Sequence, residues 1–526
     1  MSAFEDIKNE RIKKLNLLKE KGIEPFPVST DIDLSVADVL ADFESLLEKG
    51  KEIKIAGRIM AVRTHGGSVF FDLNDGGGKI QIYLKKDEMN EGQFDLFSKT
   101  ADIGDFALAQ GLPFITKKKE RSIKASSWKM LAKSLRPLPE KWHGLSDVEE
   151  RFRKRYLDTL MNEDVRQRFV LRSKIISEIR KFLDKEGFLE VETPVLQVLA
   201  GGALAKPFKT HHNALDIDLF LRIAPELYLK RLLVGGFTKV YEIARNFRNE
   251  GIDATHNPEF TMLETYEAYR DAKYLMDFTE RLFKEVVFGC FGKYKINFGD
   301  NEIDFGGEYA RVKYFDLFRK YALMANSETA TRDDYSLKAK QLGVEVKDFE
   351  SKEKIMDNIY KKICRPKLIQ PVFIIDYPAG ASPLAKRKEG NKNLIDRFQL
   401  VAGGYELTNS FSELNDPIDQ KERFKEQDKA KEMGEEEISP SDEDYLEAME
   451  YGMPPAAGSG LGIDRLVMLL TNTHNIKEVI LFPTMRPNFL ERHCFSCERS
   501  ELENKKCSCG AKRLENGSTP VVRPNL

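Results

Sequence analysis

Hydrophobic and polar positions alternate with period two across residues 53–131, in the stretches IKIAGRI, SVFFDL, GKIQIYL, GDFALAQGLPFI and RSIKASS, separated by Gly-rich turns at 66–67 and 76–78. Successive strand side chains point to opposite faces, so SVFFDL puts Val69, Phe71 and Leu73 inside and leaves Phe70 outside with Ser68 and Asp72. KIQIYL likewise buries Ile80, Ile82 and Leu84 and turns Gln81 and Tyr83 outward, beside Phe70 if the two strands pair. Five short strands predict a small barrel. An outward aromatic beside an amide is how oligonucleotide-binding barrels hold single-stranded bases; a Phe70 packed under a loop is the equal alternative.

The remaining pattern is mixed. Residues 4–22 predict a helix with Ile7, Ile12, Leu15 and Leu18 on one side, and basic Lys8, Arg11, Lys13, Lys14, Lys19 and Lys21 facing either phosphates or solvent. Residues 165–186 predict a second helix, with Val165, Phe169, Ile175, Ile176, Ile179 and Leu183 at helical spacing and Gly187 as its stop; a strand, FLEVETPVL, follows. Antiparallel hairpins are expected at 239–266 around RNEGIDATHN and at 396–413 around Gly403 and Gly404, then a Gly-rich segment leading into a helix at 458–470. The interval 270–370 reads as a mixed insertion, and 415–450 as charged surface helices flanking a loop at 434–441.

Composition narrows the class. At 526 residues with 41% apolar content, two or three domains are expected. Lys plus Arg number 83 against 85 Asp plus Glu, so the net charge of −2 draws in no polyanion globally and any nucleic-acid contact uses local patches. The N-terminus is charged from its fifth residue, and no apolar run reaches the roughly 18 residues that span a bilayer, so a cytoplasmic chain without membrane contact is expected. Cys290 and Cys364 stand alone, whereas Cys494, Cys497, Cys507 and Cys509 crowd the tail as CxxC and CxC. That is enough for one tetrahedral structural zinc, with His493 an alternative ligand and reduced free thiols the competing reading.

Three stretches match, in order, the signature motifs of class II aminoacyl-tRNA synthetases: a helix and strand ending in Pro194, RNFRNEG with HNPEF, and GSGLGIDR. Together with the barrel and the strings HHNALDIDLFLRIAPELYLKRLLVGGF and NSFSELNDP, they make the chain resemble the lysyl-tRNA synthetases over nearly all of residues 1–488. The resemblance implies an α+β chain: an N-terminal helix and OB-fold anticodon-binding barrel in 1–145 and a six- to seven-stranded antiparallel catalytic sheet flanked by helices in 146–488; the Cys-rich tail in 489–526 extends beyond the point where many bacterial relatives stop. It implies a homodimer built around Pro194, and a reaction in which ATP and L-lysine give lysyl-adenylate and pyrophosphate before lysine passes to the 3′-terminal adenosine of its tRNA. No DNA partner is implied. The glycines at 458–462 are not a Rossmann fingerprint, since no parallel βαβ unit surrounds them.

Residue roles follow by the same resemblance. Arg248 contacts the α-phosphate and substrate carboxylate, and Arg465, after Gly458, Gly460 and Gly462, holds the far phosphates. Glu250, His256, Asn257 and Phe260 fall where relatives bind adenine and phosphate. Glu226 receives the α-ammonium of lysine with Gly202 beside it, Glu413 and Tyr266 the ε-ammonium with Glu264 nearby, Asn409 the carboxylate, and Phe411 lines the stem. Alternation independently places Asn409, Phe411 and Glu413 on one face of a strand, and Glu264 and Tyr266 on one face of another. Relatives commonly present two glutamates to Mg²⁺; here the positions hold Glu406 and Gln399, so one formal charge is missing. Arg63, Phe70 and Gln81 fall at the positions that read the central anticodon uridine, and a further family glutamate aligns near Ser127. Aspartyl- or asparaginyl-tRNA synthetases, a lysine ligase acting on protein, and an inactive tRNA-binding relative are the rival readings.

Overall fold

The computed structural model describes residues 3–139, 145, 147–347, 350–432 and 440–486. The chain divides into two compact units, Met1–Ser146 and Asp147–Leu526.

In the first unit the period-two segments form β1 (Ile53–His65), β2 (Ser68–Asn74), β3 (Lys79–Lys85), β4 (Phe106–Ile115) and β5 (Arg121–Ala132), closed in the order β1-β2-β3-β5-β4. Val69, Phe71, Leu73, Ile80, Ile82 and Leu84 fill the interior, as the alternation predicts. The first helix spans Ala3–Glu20. Its expected apolar stripe is realised only in part: Leu18 is buried and Ile7 is exposed. Arg11, read above as a possible phosphate contact, is instead buried and donates to the carbonyls of Ile103, Ser134 and Arg136, so it pins the helix to its own barrel.

The second unit is built on a nine-stranded sheet. Its strands are β6 (Leu189–Glu190), β7 (Leu196–Gln197), β8 (Lys209–His212), β9 (Ile217–Leu221), β10 (Lys239–Phe247), β11 (Glu259–Ala268), β12 (Lys295–Phe298), β13 (Asn301–Asp304), β14 (Ala310–Lys313), β15 (Val372–Pro378), β16 (Arg387–Lys388), β17 (Asn391–Ala402), β18 (Tyr405–Ser412) and β19 (Ala456–Gly462). The main sheet runs β14-β15-β17-β18-β19-β11-β10-β6 with β16 on β17; β7, β9 and β8 form a small separate sheet and β12 and β13 a ribbon. Both expected hairpins are present. The centre is antiparallel, but the outer pairs β14/β15 and β6/β10 are parallel, and the sheet is wider than the six or seven strands expected.

Alternate residues of this sheet serve different cores. Phe373 and Phe398 join a cluster with helices Glu163–Lys185, Ala272–Phe291 and Ile463–Leu470, while Ile374 and Val401 join one with Glu226–Val234, Lys352–Ile359 and Glu443–Glu450. Three expectations change. FLEVETPVL is not one strand: only Leu189–Glu190 and Leu196–Gln197 pair, and Val195 and Leu196 are exposed. The Gly-rich segment is itself the central strand β19, and the helix begins at Ile463. Of the 270–370 interval, helix Ala272–Phe291 belongs to the central core, packed on Glu163–Lys185, because nine of its side chains are buried apolar or small groups. Charged helices are present on either side of the expected loop, at Pro417–Glu432 and Glu443–Glu450, the second burying Tyr445, Leu446 and Met449, while residues 433–439 of that loop lie outside the described residues. Among the described residues no helix is long and apolar enough to cross a membrane.

Candidate functional site

The register of three adjacent strands assembles a pocket. Phe411 on β18 lies opposite Gly458 on β19, which lies opposite Tyr266 on β11; the next row is Asn409, Gly460 and Glu264. A Cβ on Gly458 would sit 2.2 Å from Glu413 Oε1 and 2.4 Å from Tyr266 Cε1. Gly458 is therefore the floor on which a carboxylate and a phenol converge, more than a point of close approach for a nucleotide. On Gly460 a Cβ would meet Met262 Cε at 2.4 Å, and on Gly462 it would meet only its own helix at Arg465. Gly202 has φ +86 and faces Glu226, whose Cβ would lie 2.9 Å from an added methyl, so glycine is needed there on both counts.

Glu226 is the first residue of helix Glu226–Val234, so the first turn of that helix presents it to this pocket. Tyr266 donates to Glu264 Oε2 at 3.0 Å. Between Glu226 and Glu413 stands Lys230, a residue the sequence reading missed. Its ammonium is 2.6 Å from Glu226 Oε1, pairs with Glu413 Oε2, and lies 5.3 Å from the Phe411 ring centre and 6.0 Å from that of Tyr266. The four-residue spacing from Glu226 is an ordinary helical ion pair in sequence; that Lys230 is wholly buried was not legible. Burial, with Lys230 opposing it and Glu226 adding to it, pushes Glu413 up to about 8. Burial and then the charge of Glu226 push Glu264 up to about 8 as well. Glu413 Oε1 accepts no hydrogen bond from a described residue. A cation entering here would meet an unsatisfied oxygen.

The second half of the site lies at the other end of the same strands. Arg248, just past β10, sits with its guanidinium 5.0 Å from the Phe260 ring centre; its Nη2 reaches the Ile223 carbonyl at 3.5 Å and its Nε has no partner among the described residues. Desolvation lowers its pKa, against the field of Glu250, which is itself exposed. Arg465 Nη2 meets His256 Nε2 at 3.1 Å, and His256 Nδ1 lies 2.9 Å from Asp253. Since arginine only donates, Nε2 accepts and the proton is on Nδ1, facing Asp253. Asp464 fixes this corner by accepting from the Thr261 amide at 2.7 Å and pairing with Arg172. Asn257 donates to the Glu259 carbonyl at 2.6 Å and leaves a buried Oδ1 without a partner among the described residues. Asn409 Oδ1 accepts from Arg397 at 2.8 Å, so that arginine holds the amide in place.

The expected metal position does not assemble as two oxygen ligands. Gln399 is 5% exposed, and its Oε1 accepts from Tyr377 at 2.8 Å and Tyr360 at 3.1 Å. Both lone pairs are thereby used. Glu406 stands 3.5 Å from Arg365. Among the described residues no group of three or more His, Cys, Asp or Glu could hold a metal. The tail cysteines Cys494, Cys497, Cys507 and Cys509, with His493, lie outside the described residues.

On the barrel, β2 and β3 pair with Phe70 opposite Tyr83 and Asp72 opposite Gln81. Phe70 and Tyr83 stack at 4.7 Å, leaving Phe70 half-buried. Gln81 does face outward but is covered: its Nε2 donates to Glu120 at 3.1 Å and its Oε1 accepts from Ser122 at 3.1 Å. Arg63 donates to Asp72 at 2.9 Å. Ser127 lies opposite Gln110, so Glu120, from the turn before β5, is the acid beside Gln81.

Two family models match the chain: "tRNA synthetases class II (D, K and N)" over residues 147–486, and "OB-fold nucleic acid binding domain" over residues 53–131. Among similar curated proteins, the lysine–tRNA ligase of Carboxydothermus hydrogenoformans is 51% identical over 486 residues, covering 91% of this chain and 97% of the relative. That of Moorella thermoacetica is 47% identical, covering 93% and 99%. That of Aquifex aeolicus is 48% identical, covering 83% of this chain and 73% of the relative.

Proposed function

The chain belongs to the class II tRNA synthetases, among the lysine–tRNA ligases, and from that premise we propose how its residues divide the work of joining lysine to tRNA. The observation that carries the assignment is the convergence of Glu226 and Glu413 on the buried ammonium of Lys230, with Glu264 buried nearby and bonded to Tyr266, a setting chemically matched to an amino acid with two ammonium groups. Glu226 takes the α-ammonium; Glu413 with Tyr266 takes the ε-ammonium; Phe411 lies along the aliphatic stem. An aspartate side chain would meet three carboxylates and be repelled.

In activation, a carboxylate oxygen of lysine attacks the α-phosphorus of ATP and pyrophosphate leaves, so the requirement is alignment and neutralisation of negative charge rather than an enzyme nucleophile. Arg248 spans the substrate carboxylate and α-phosphate, and Arg465, oriented by His256, takes the distal phosphates. Phe260 offers adenine a stacking face, and the free Oδ1 of Asn257 accepts a hydrogen bond from the nucleotide. Class II lysyl-tRNA synthetases use ATP with Mg²⁺ generally. Here Glu406 offers one carboxylate and Gln399 has no free lone pair, so the pair does not fit a two-ligand metal site.

Amino-acid-dependent exchange of pyrophosphate into ATP tests the reading: lysine is expected to support it, aspartate and asparagine are not. Silence with all three amino acids would sink it.

The OB-fold barrel supports anticodon binding through Arg63, Phe70 and Gln81, with the uridine stacking on Phe70 after Gln81 exchanges Glu120 for the base. Phe70→Ala should lower tRNA charging by about 1–3 kcal/mol of stacking and leave pyrophosphate exchange untouched; a matching loss in exchange would rule the role out. Exposed Leu189, Val195, Leu196 and Val198 around Pro194 support a homodimer, which sedimentation at dilution would test. The cytoplasm is the expected compartment, to be checked by fractionation. The tail cysteines retain their reading as a structural zinc site, and metal analysis of purified protein is expected to find about one zinc per chain.

A further inference from the structure

Gln399 and Glu406 stand on neighbouring strands, where relatives resembling this chain present two carboxylates to a divalent cation. The structure gives Gln399 a different occupation. Its carboxamide oxygen is held by Tyr377 from β15 and by Tyr360 from the π-helical turn Tyr360–Cys364. Such wide turns recur at functional positions. The residue that follows this turn, Arg365, reaches back to Glu406 at 3.5 Å. One short segment therefore closes the acceptor of Gln399 and places a guanidinium on Glu406.

Charge points the same way. Arg365 lies 3.5 Å from the Glu406 carboxylate, and Arg465 Nη1 donates to the Glu406 backbone carbonyl at 3.4 Å. Two guanidiniums gathered at one acidic residue make ground that repels a bare divalent ion and attracts a polyphosphate.

We propose that in this chain Gln399 is a positioning residue that locks Tyr360 and Tyr377, not a metal ligand, and that the divalent cation enters already bound to ATP, with Glu406 the single carboxylate offered to it. The proposal rests on the reading that this cleft takes ATP.

Titration of the full-length protein with Mn²⁺, followed by the free-ion signal in electron paramagnetic resonance, tests it; Mn²⁺ prefers oxygen ligands and avoids the thiols of the tail. Without nucleotide, the wild-type protein is expected to leave the signal undiminished at equimolar ion. Gln399→Glu, which restores the second carboxylate, should bind Mn²⁺ at least about tenfold more tightly. The double variant Tyr360→Phe with Tyr377→Phe frees both lone pairs and should bind more tightly than wild type by a smaller factor, which keeps the test open if Gln399→Glu does not fold. Tight nucleotide-free binding by the wild type that is lost in Gln399→Ala would overturn the proposal. So would the absence of any gain in a folded Gln399→Glu protein. Failure of lysine-dependent exchange would instead remove the ATP reading, and the nucleotide-free titration would still decide what Gln399 does.

Discussion

Arg248→Ala is expected to lower kcat/KM for lysine-dependent pyrophosphate exchange by about 10²–10³-fold, the loss typical of removing one preorganised donor from developing charge. The guanidinium is placed on Phe260 before any substrate arrives, with Nε unpartnered and only a long contact from Nη2 to the Ile223 carbonyl. Its desolvation is thus poorly compensated in the free protein, and in the proposed role the phosphate and carboxylate of the reactants would supply what is missing. Arg248→Lys should recover little, because a single ammonium cannot bridge two planar anions as a guanidinium fork does. Because the residue makes few contacts within the protein, the melting temperature should barely move. Retention of more than about a tenth of wild-type kcat/KM would remove Arg248 from the reaction.

Lys230→Met should cost about 3–5 kcal/mol of stability, since it leaves Glu226, Glu264 and Glu413 clustered without their internal cation. The loss should depend on pH with a definite sign. Glu264 and Glu413 already have folded-state pKa values of about 8, above the ordinary carboxylate range. A carboxyl raised on folding is neutral in both states at low pH and destabilises the fold progressively as pH rises from its ordinary value to its folded value, above which the loss is complete. Without Lys230 the values rise further, so the deficit relative to wild type should be small near the ordinary carboxylate range and grow as pH passes about 8. Thermal melts across that window read the effect directly. An equal deficit at both ends would mean that Lys230 contributes packing alone. The same raised values predict that lysine binding at neutral pH releases protons, since the ligand's ammonium groups require the ionised carboxylates.

Much of the chain was legible because its signals are local. Period-two alternation in 53–131 specified the five barrel strands and their interior, since a slip of one residue would turn Phe71 and Leu73 to water. The two hairpins, the helix ending at Gly187, and the shared face of Asn409, Phe411 and Glu413 follow from the same geometry. The family was legible by resemblance of three motifs and two strings, and the family models and relatives place the chain in it; the roles of the site residues are carried over from that resemblance as proposals.

Tertiary structure decided what those residues touch. Pairing of β18, β19 and β11 turned a Gly-rich motif into the floor of a pocket, because Gly458 lies in the same row as Phe411 and Tyr266. Long-range packing buried Arg11 and Lys230, whose spacing in the chain reads as that of surface residues, and it covered Gln81 with Glu120, which is 39 residues away. Side-chain alternation states which face a residue takes; it carries no information about which distant group arrives to meet it. For that reason Gln399, visible from sequence only as a missing charge, is seen in the fold as an acceptor shared by Tyr360 and Tyr377.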